Sequence, residues 1–222
     1  VLARADVGVT TLDLDKYAEE LILAAGAQPS FKLEKGYYFT TCMCVNDMVV
    51  HGIPTEYKLR DGDILGIDCG LVLDGWHSDA SWSLEIGGKK NVFLETGERA
   101  LKLAIEKCIG GNHIGDISKA IEDTVRAGGY SPVKALVGHG IGRELHEDPD
   151  VPCYLRGDIK NTPEIKVGMV LAVEAIYNMG ESPVVYGGDD GWTIVTRDGL
   201  PSGLFEHTVA ITPNGPRVLT AS

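Results

Sequence analysis

The pattern of apolar and polar positions along the chain predicts three helices among shorter, strand-like segments. Capping residues precede an amphipathic run that ends at Gly26, so we expect a first helix that starts near Thr11. Apolar spacing and glycine stops predict two further helices, over residues 96–109 and 117–127. Residues 37–50 are rich in β-branched and aromatic side chains, which predicts a strand before a polar loop. Helices and strands recur in both halves, which indicates an α+β fold.

The clearest local prediction is a hairpin over residues 64–86, because Asp74–Gly75 is a strong two-residue turn signal between strand-like runs. With that turn, Gly70 faces Asp79 across the ladder. Asp68 lies two residues before Gly70 on the same face, which brings the Cβ atoms of the two aspartates within about 8 Å. We expect an open space at Gly70 between the two carboxylates.

Two apolar strand-like runs each contain a single carboxylate, Glu174 in one and Glu206 in the other. Burying an ionised carboxylate costs several kcal/mol unless a partner compensates the charge. For one glutamate, a structural bond to an arginine or a backbone amide is the favoured interpretation. With Asp68 and Asp79 there are four inward carboxylates, and few of the 20 Lys and Arg residues lie near them in sequence. Metal ions are the simpler compensation.

His139 lies between glycines in the run 138–142, where small neighbours allow a close approach to the ring. Alone it would more often be a loop histidine than a ligand. With the four carboxylates it supplies one imidazole to an oxygen-rich site able to hold two first-row divalent ions. Such a pair lowers the pKa of a bound water and polarises a carbonyl group.

Composition excludes several classes of function. The 222 residues are 44% hydrophobic, which is enough for one globular domain. The formal charge of −12 disfavours nucleic acid as a substrate and anionic membranes as a partner. No apolar run approaches the roughly 18 residues of a membrane helix, and no signal-like segment opens the chain. We therefore expect a soluble, cytoplasmic protein.

The cysteines and the first residue add two expectations. The five cysteines are scattered and form no C-x-x-C pair, which suits a reducing compartment. Cys42 and Cys44 would share one face of a strand, but a lone pair is a weak metal signal. Val1 is not an initiator residue, so we expect a chain truncated at its N-terminus.

Six ordered motifs, spread over essentially the whole chain, resemble those of one peptidase family. Residues 45–54, VNDMVVHGIP, are similar to the V-N-x-x-V-x-H-G-I-P signature of methionine aminopeptidases. Asp68 and Asp79 have the family's separation of eleven residues. The remaining motifs follow in order: GHGIGRELHEDP (138–149), GMVLAVEAIYN (168–178), DGWTIVTRDG (190–199) and FEHT (205–208). Only 34 residues separate His139 from Glu174, too few for the helical insertion of type II enzymes, so type I is implied.

The resemblance implies roles for individual residues. Matched positions in the family hold two divalent ions, with Asp79 and Glu206 bridging them; the implied ligands are Asp68, Asp79, His139, Glu174 and Glu206. Glu174 would also shuttle a proton from the attacking water to the departing amine. His51 and His146 would contact the substrate and stabilise the tetrahedral intermediate. The implied methionine pocket uses Tyr37, Cys42 and Trp192. His77 and His207 match positions beside ligands and are expected to support them rather than react.

The implied fold is the pita-bread fold, a curved antiparallel sheet with helices on its outer face. It would form a single catalytic domain over residues 1–222, with two pseudo-symmetric halves, about 1–110 and 111–222. The sequence departs from the commoner family pattern at Leu145, Ala175 and Leu204, which affects the shape of the pocket and leaves the ligands unchanged. The stretch 33–35 is also atypical for the pocket rim.

The implied function is removal of the initiator methionine from nascent chains whose second residue is small. Two alternatives remain open: a prolidase-like or proline-specific aminopeptidase on the same scaffold, and a non-catalytic peptide-binding module. The ion could be Co²⁺, Mn²⁺, Fe²⁺ or Zn²⁺, since one imidazole and four carboxylates accept all of them. We expect a monomer that binds peptides or nascent proteins beginning with Met, with contact to the ribosome left open.

Overall fold

The computed structural model describes residues 1–88 and 91–221, which form three α-helices and thirteen β-strands. The helices are α1 (Thr11–Ala24), α2 (Val92–Ile105) and α3 (Ile114–Ala127). The strands are β1 (Gln28–Pro29), β2 (Cys42–Val45), β3 (Met48–Val50), β4 (Ile64–Leu73), β5 (Trp76–Glu85), β6 (Ser131–Pro132), β7 (Val137–Gly140), β8 (Glu147–Pro152), β9 (Val170–Asn178), β10 (Val184–Tyr186), β11 (Ile194–Thr196), β12 (Ser202–Thr212) and β13 (Gly215–Val218). The predicted α+β class is confirmed.

The helix starts follow from side chains that cap the first turn. The predicted start of α1 is confirmed, because the Thr10 hydroxyl accepts the backbone N–H of Asp13 at 3.0 Å. The predicted start of the second helix at residue 96 was wrong. Asn91 accepts the N–H of Phe93 at 3.0 Å, so α2 begins at Val92. The third helix also begins earlier than predicted, at Ile114, and is capped by its flanking residues.

The strand predicted over residues 37–50 is shorter and interrupted. Only β2 and β3 are extended there, and Asn46 separates them with a positive φ of 55°. Asparagine tolerates this left-handed conformation because its short side chain can bond locally. Its amide group bonds Asp63 at 2.9 Å and accepts the N–H of Ile64 at 2.9 Å, which ties this turn to the start of β4.

The predicted hairpin register is confirmed. Strands β4 and β5 pair with Leu73 opposite Trp76 and Gly70 opposite Asp79. The expected open space at Gly70 was wrong, because the 3-10 turn that follows β1 fills it. A Cβ at Gly70 would lie 2.8 Å from Phe31 and 3.1 Å from Ser30, so glycine admits these side chains rather than a void.

Ten strands form one sheet, whose main path runs β1-β4-β5-β12-β9-β7-β8. Strand β2 joins beside β4, β6 beside β9 and β13 beside β12, while β10, β11 and β3 form a second, small sheet. All strand pairs among the described residues are antiparallel. The long strands β4, β5, β12 and β9 are therefore neighbours and can present side chains from distant sequence positions on one face.

The main core lies between this sheet and the helices α2 and α3. Gly97 of α2 leaves room for the buried rings of Phe205 on β12 and Tyr177 on β9, which a Cβ would overlap. Phe93 packs against Tyr177 with ring centroids 4.6 Å apart. This packing leaves the opposite face of β9 and β12 free for polar side chains. Within the described part of the chain, every helix falls short of the length and apolarity needed to cross a membrane.

Candidate metal and substrate site

One row of side chains crosses five strands of the large sheet. The pairing places Cys42 opposite Asp68, Asp68 opposite Ser81, Ser81 opposite Glu206, and Glu206 opposite Glu174. Directly paired residues project from the same face, and neighbouring strands are about 4.8 Å apart. Three of the predicted ligands therefore meet in one row, although 138 positions separate residue 68 from residue 206 (206 − 68).

A second row beside the first holds the other two predicted ligands. Asp79 lies two residues from Ser81, and His139 pairs with Ala172, which lies two residues from Glu174. A spacing of two returns a side chain to the same face of a strand. Thr208 lies between these two ligands in the row. It also pairs with Ala172, and its hydroxyl accepts the N–H of Asp79 at 2.8 Å. All five predicted ligands thus project from the same face of the sheet.

The hydroxyl of Ser81 lies within hydrogen-bonding distance of two of the carboxylates. Its hydroxyl oxygen lies 2.6 Å from Glu206 Oε2 and 3.0 Å from Asp68 Oδ1. A single hydroxyl proton can be donated to one oxygen at a time, so the other acid lacks that donor. Glu206 Oε1 is buried and has no hydrogen-bond partner among the described residues. The described residues therefore do not provide enough hydrogen-bond donors or positive charge to balance this acidic cluster.

The pKa values of the four carboxyl groups reflect the same lack of positive charge. Burial raises the pKa of Asp68 to about 7. Burial first, then repulsion from Glu206 and Asp68, raises the pKa of Asp79 well above its usual range. The pKa values of Glu174 and Glu206 are raised for the same two reasons, in the same order. Four acids that repel one another, three of them buried and Asp68 partly buried, are stable as anions only beside a cation.

His139 is arranged to offer a lone pair to that cation. Its Nδ1 atom lies 2.8 Å from the carbonyl oxygen of Gly140, which can only accept, so Nδ1 carries the proton. Its Nε2 atom is then the basic nitrogen and lies 3.8 Å from Glu174 Oε1. Burial lowers the pKa of His139 to about 4, so the ring is neutral near pH 7. A neutral imidazole fixed through its second nitrogen is the usual form of a histidine ligand.

The donor set fits a metal ion. Ligand atoms of Asp79, His139 and Glu206 all lie within 4.8 Å of one another. Asp68 contacts the same Ser81 hydroxyl as Glu206, and Glu174 lies beside the free nitrogen of His139. The unpartnered oxygen of Glu206 and the lone pair of His139 are the features that a cation would satisfy. Carboxylates with one imidazole suit divalent first-row ions.

A cavity of about 300 Å³ opens over this cluster. Ligand pockets in proteins commonly range from about 300 to 1,000 Å³, so this one suits a single side chain better than a long segment. Its wall includes every substrate residue predicted from the sequence: His51, His146, Tyr37, Cys42 and Trp192. The wall also contains apolar side chains, namely Phe31, Val50, Ala135, Leu136, Val137, Leu145 and Ile176. Leu145, one of the departures from the family pattern, is therefore part of the pocket.

A buried aspartate on α1 holds one wall of the cavity. Asp15 Oδ1 accepts the N–H groups of Thr40 and Thr41, at 3.0 and 2.8 Å, and the hydroxyl of Thr41 at 2.8 Å. The carbonyl of Thr41 in turn accepts the Tyr37 hydroxyl at 2.8 Å, which also lies 3.3 Å from Cys42 Sγ. Asp15 thus fixes the backbone that carries Tyr37 and Cys42. Sequence patterns missed it, because it lies in an amphipathic helix among other acidic residues.

A second aspartate fixes the adjacent part of the wall around Trp192. Asp190 accepts the N–H groups of Trp192 and Thr193, both at 2.8 Å, and the Thr193 hydroxyl at 2.7 Å. The Trp192 ring then packs edge-on against Tyr37, with centroids 5.1 Å apart, and faces His51 at 6.3 Å. His51 adopts a φ of 56°, which is rare for a residue with a side chain. This unusual backbone turns the imidazole toward the cavity, where desolvation lowers its pKa.

The remaining histidines separate into two groups. The His146 ring lies 4.5 Å from that of His139, and His146 lines the cavity, so it borders the acidic cluster from the cavity side. His77 and His207 do not line the cavity: His77 Nδ1 lies 2.8 Å from the Ser30 hydroxyl, and His207 Nδ1 lies 2.9 Å from Thr220. Sequence reasoning also missed Ser81 and Thr208. Their only local signal is a hydroxyl on an inward strand position.

Comparison with known proteins agrees with this geometry. A model of metallopeptidase family M24 matches residues 1–213. A methionine aminopeptidase of Clostridium perfringens is 47% identical over 216 residues, which cover 96% of this chain and 86% of that protein. Methionine aminopeptidase 1 of Bacillus subtilis is 42% identical over the same shares of both chains.

Solved structures give the same assignment. The methionine aminopeptidase of Thermotoga maritima superposes with a TM-score of 0.93 at 36% identity and covers 98% of this chain and 88% of its own. The prolidase of Pyrococcus furiosus superposes at 0.76 with 22% identity over 58% of its length, which shows the shared fold alone. The predicted pita-bread fold is confirmed by both. This chain therefore belongs to metallopeptidase family M24 and, within it, to the methionine aminopeptidases.

Proposed function

We propose that this protein is a type I methionine aminopeptidase that hydrolyses the first peptide bond of chains beginning with Met when the second residue is small. One observation carries the proposal: an apolar cavity large enough for one side chain opens directly over a buried cluster of acids and a neutral histidine. Membership of a metallopeptidase family makes a metal-dependent hydrolase the function of that cluster.

Asp68, Asp79, His139, Glu174 and Glu206 are the proposed ligands of two divalent ions. The charges support two ions rather than one, because four carboxylates carry four negative charges and two divalent cations balance them. Bound there, the ions would lower the pKa of a water toward neutrality and polarise the scissile carbonyl. Mn²⁺, Fe²⁺, Co²⁺ and Zn²⁺ all suit the donor set, so the proposal does not choose among them.

Glu174 is the proposed proton carrier. Its carboxylate lines the cavity and lies 3.8 Å from His139 Nε2, within reach of a water held at the cluster. The proton from the attacking water would pass to its carboxylate and then to the amine that leaves. His51 and His146 border the cavity on the side of the reacting groups, so their ring N–H groups are the proposed donors to the oxyanion.

The wall chemistry supports methionine as the first residue. Tyr37, Cys42 and Trp192 form a slot that combines aromatic faces with a thiol, and sulfur makes favourable contacts with aromatic rings. The slot ends at Phe31, which fills the space beside Gly70. An unbranched thioether can follow this narrow shape, because it has three rotatable bonds and no branch at Cβ.

The type I assignment is supported by the short connection between two of the ligands. Between His139 and Glu174 the chain forms β8, a 3-10 turn and the start of β9, and it contains no α-helix. The five thiols among the described residues are all free, which supports a reducing compartment such as the cytoplasm. We further propose a monomer that acts on nascent chains, with contact to the ribosome as a separate hypothesis.

The two alternative functions are less well supported. Proline-specific enzymes share the fold, but the prolidase structures are only 22% and 21% identical to this chain. A binding module without catalysis would be free to lose its ligands, whereas all five predicted ligands are present and converge here.

The test is release of free methionine from a Met-Ala-Ser peptide by protein stripped with chelator and then titrated with each metal. We expect activity to appear with the second equivalent of metal or before it, and to be lost again with chelator. A Met-Leu-Ser peptide and an Ala-Pro dipeptide serve as selectivity controls, and neither should be cleaved at a comparable rate.

Two variants connect that activity to the site. At saturating metal, Glu174→Gln should keep the fold but lower kcat by about 10²-fold or more, as expected for loss of a general acid and base. Glu20→Gln, on the exposed face of α1, should match the natural protein. Absence of methionine release with every metal, in protein that binds metal and is folded, would overturn the proposed function.

A further inference from the structure

The rim of the cavity contains one acid that does not belong to the metal cluster. Glu34 lines the cavity beside Phe31 and Tyr37, and it is exposed to solvent. The other four acids of the described wall are the proposed ligands, of which three are buried and Asp68 is partly buried. Among the residues that the structure describes, no lysine or arginine lines this cavity.

The backbone of Glu34 is held in place from both sides. Its N–H donates to the carbonyl of Phe31 at 3.1 Å, and its carbonyl accepts the N–H of Tyr37 at 3.2 Å. Gly36 follows with a φ of 93° and lies against the Trp192 ring, at 3.8 Å from where a Cβ would stand. The side chain of Glu34 therefore starts from a fixed point between two walls of the pocket.

Glu34 is one of three acids near His77, an imidazole outside the cavity wall. Burial lowers the pKa of His77, and the carboxylates of Glu144, Glu34 and Glu147 oppose that effect. Three acids thus lie within electrostatic reach of this imidazole. Of these three, only Glu34 lines the cavity. The carboxylate of Glu147 already accepts the N–H of Glu144 at 2.9 Å.

Metal binding would make the charge of Glu34 more important for a bound peptide. Divalent ions held by the ligand carboxylates would neutralise them, but would leave a carboxylate at the rim charged. Of the acids in the described cavity wall, Glu34 would then be the one that keeps its charge at the mouth, and no lysine or arginine of that described wall opposes it. A cationic group on the peptide is attracted there, and an anionic group is repelled.

We propose that Glu34 is a specificity-determining residue that favours substrates with a lysine or arginine at the third position and disfavours those with aspartate or glutamate there. The inference rests on the proposed function, which it deepens. The first residue occupies the cavity and the second must be small, so the third is the first that can carry a long charged side chain. An extended chain advances about 3.3 Å per residue, which keeps this side chain near the rim.

The experiment measures kcat/KM for three peptides, Met-Ala-Lys-Ala, Met-Ala-Gln-Ala and Met-Ala-Glu-Ala, all with amidated C-termini. The metal-loaded natural protein should prefer the lysine over the glutamate peptide by roughly two- to fivefold at low salt, which is the scale of an exposed ion pair. Glu34→Gln should bring the ratio close to one. High salt should weaken the preference of the natural protein, because it screens exposed charges.

Two neighbouring variants separate a contact at the rim from the general negative field. Lys35→Gln changes the adjacent exposed charge, which does not line the cavity, and should keep the preference for lysine. Glu144→Gln removes an acid near the same imidazole but outside the cavity and should keep more than half of the preference.

The outcomes are distinguishable. An equal lysine preference in Glu34→Gln and in the natural protein, or no preference in the natural protein, would overturn the role of Glu34 while leaving the aminopeptidase intact. Failure of the natural protein to cleave the neutral glutamine peptide would instead overturn the proposed function.

Discussion

Removing a proposed ligand should stabilise the metal-free protein. Glu206→Gln is the sharpest case, because Glu206 Oε1 is buried without a partner and burial, Glu174 and Asp68 all raise the pKa of Glu206. Glutamine has the same shape and can still accept the Ser81 hydroxyl, which lies at 2.6 Å. Its amide NH₂ would donate to the neighbouring carboxylates instead of repelling them.

The size of the effect follows from the cost of buried charge. The pKa of Asp68 rises from 3.8 to about 7, and each pKa unit corresponds to about 1.4 kcal/mol, so one such acid costs about 4 kcal/mol when ionised. Removing one of four mutually repelling charges relieves part of this cost, and we expect roughly 2–4 kcal/mol. For a chain of this length, that corresponds to a rise in Tm of about 4–16 °C.

The sign of the pH dependence is fixed by the direction of the shifts. Raised folded pKa values mean that the folded state binds protons more tightly than the unfolded state. The contribution of these four acids to the stability of the metal-free natural protein should therefore be greatest below about pH 4, where they are protonated in both states. It should fall as the pH rises through about 7. The advantage of Glu206→Gln should be largest at pH 8 and vanish near pH 4.

Thermal unfolding after chelation, followed by circular dichroism at pH 4, 6 and 8, measures this prediction. Adding metal at pH 8 should reverse the order, because the natural protein then gains more binding energy than the variant does. Glu20→Gln controls for the loss of one surface charge. If metal-free Glu206→Gln unfolds at a lower temperature than the metal-free natural protein at pH 8, the repulsion argument is refuted.

Two further predictions concern the pocket wall and the core. Asp15→Asn should raise KM for Met-Ala-Ser several-fold with little change in kcat. The change weakens the hydrogen bonds that position Tyr37 but leaves the proposed metal ligands in place. An unchanged KM in steady-state assays would contradict this role. Gly97→Ala should destabilise the fold by roughly 1–3 kcal/mol in urea unfolding, because overlap with Phe205 outweighs the helix propensity that alanine adds. The same exchange at Gly188, which has open space around it, should change little.

The sequence predicted the parts of the site that depend on local geometry. The turn at Asp74–Gly75 and the alternation of strand side chains together placed Asp68 beside Asp79, and the structure confirms that register. The carboxylates Glu174 and Glu206 were recognised because a charge inside an apolar strand is costly. Their direct pairing across β9 and β12 was not predicted, since strand partners distant in sequence leave no local signal.

The features that sequence reasoning missed depend on contacts between distant segments. Phe31 fills the space at Gly70 from a turn about forty residues away, so the hairpin alone suggested a void. Asp15 and Asp190 look like ordinary helix and loop acids until the structure shows that each holds one wall of the pocket. The helix start at Val92 was missed because its cap, Asn91, lies outside the apolar pattern.

The position of β12 has a consequence for how the molecule is made. This strand lies between β5 and β9, although it leaves the ribosome after both of them. The large sheet can therefore be completed only after this late segment pairs with both β5 and β9, through contacts that are distant in sequence and slow to form. Glu206 arrives with that segment. Each new copy should thus gain its full metal affinity only as the last long strand inserts, so that the end of folding and the onset of activity coincide.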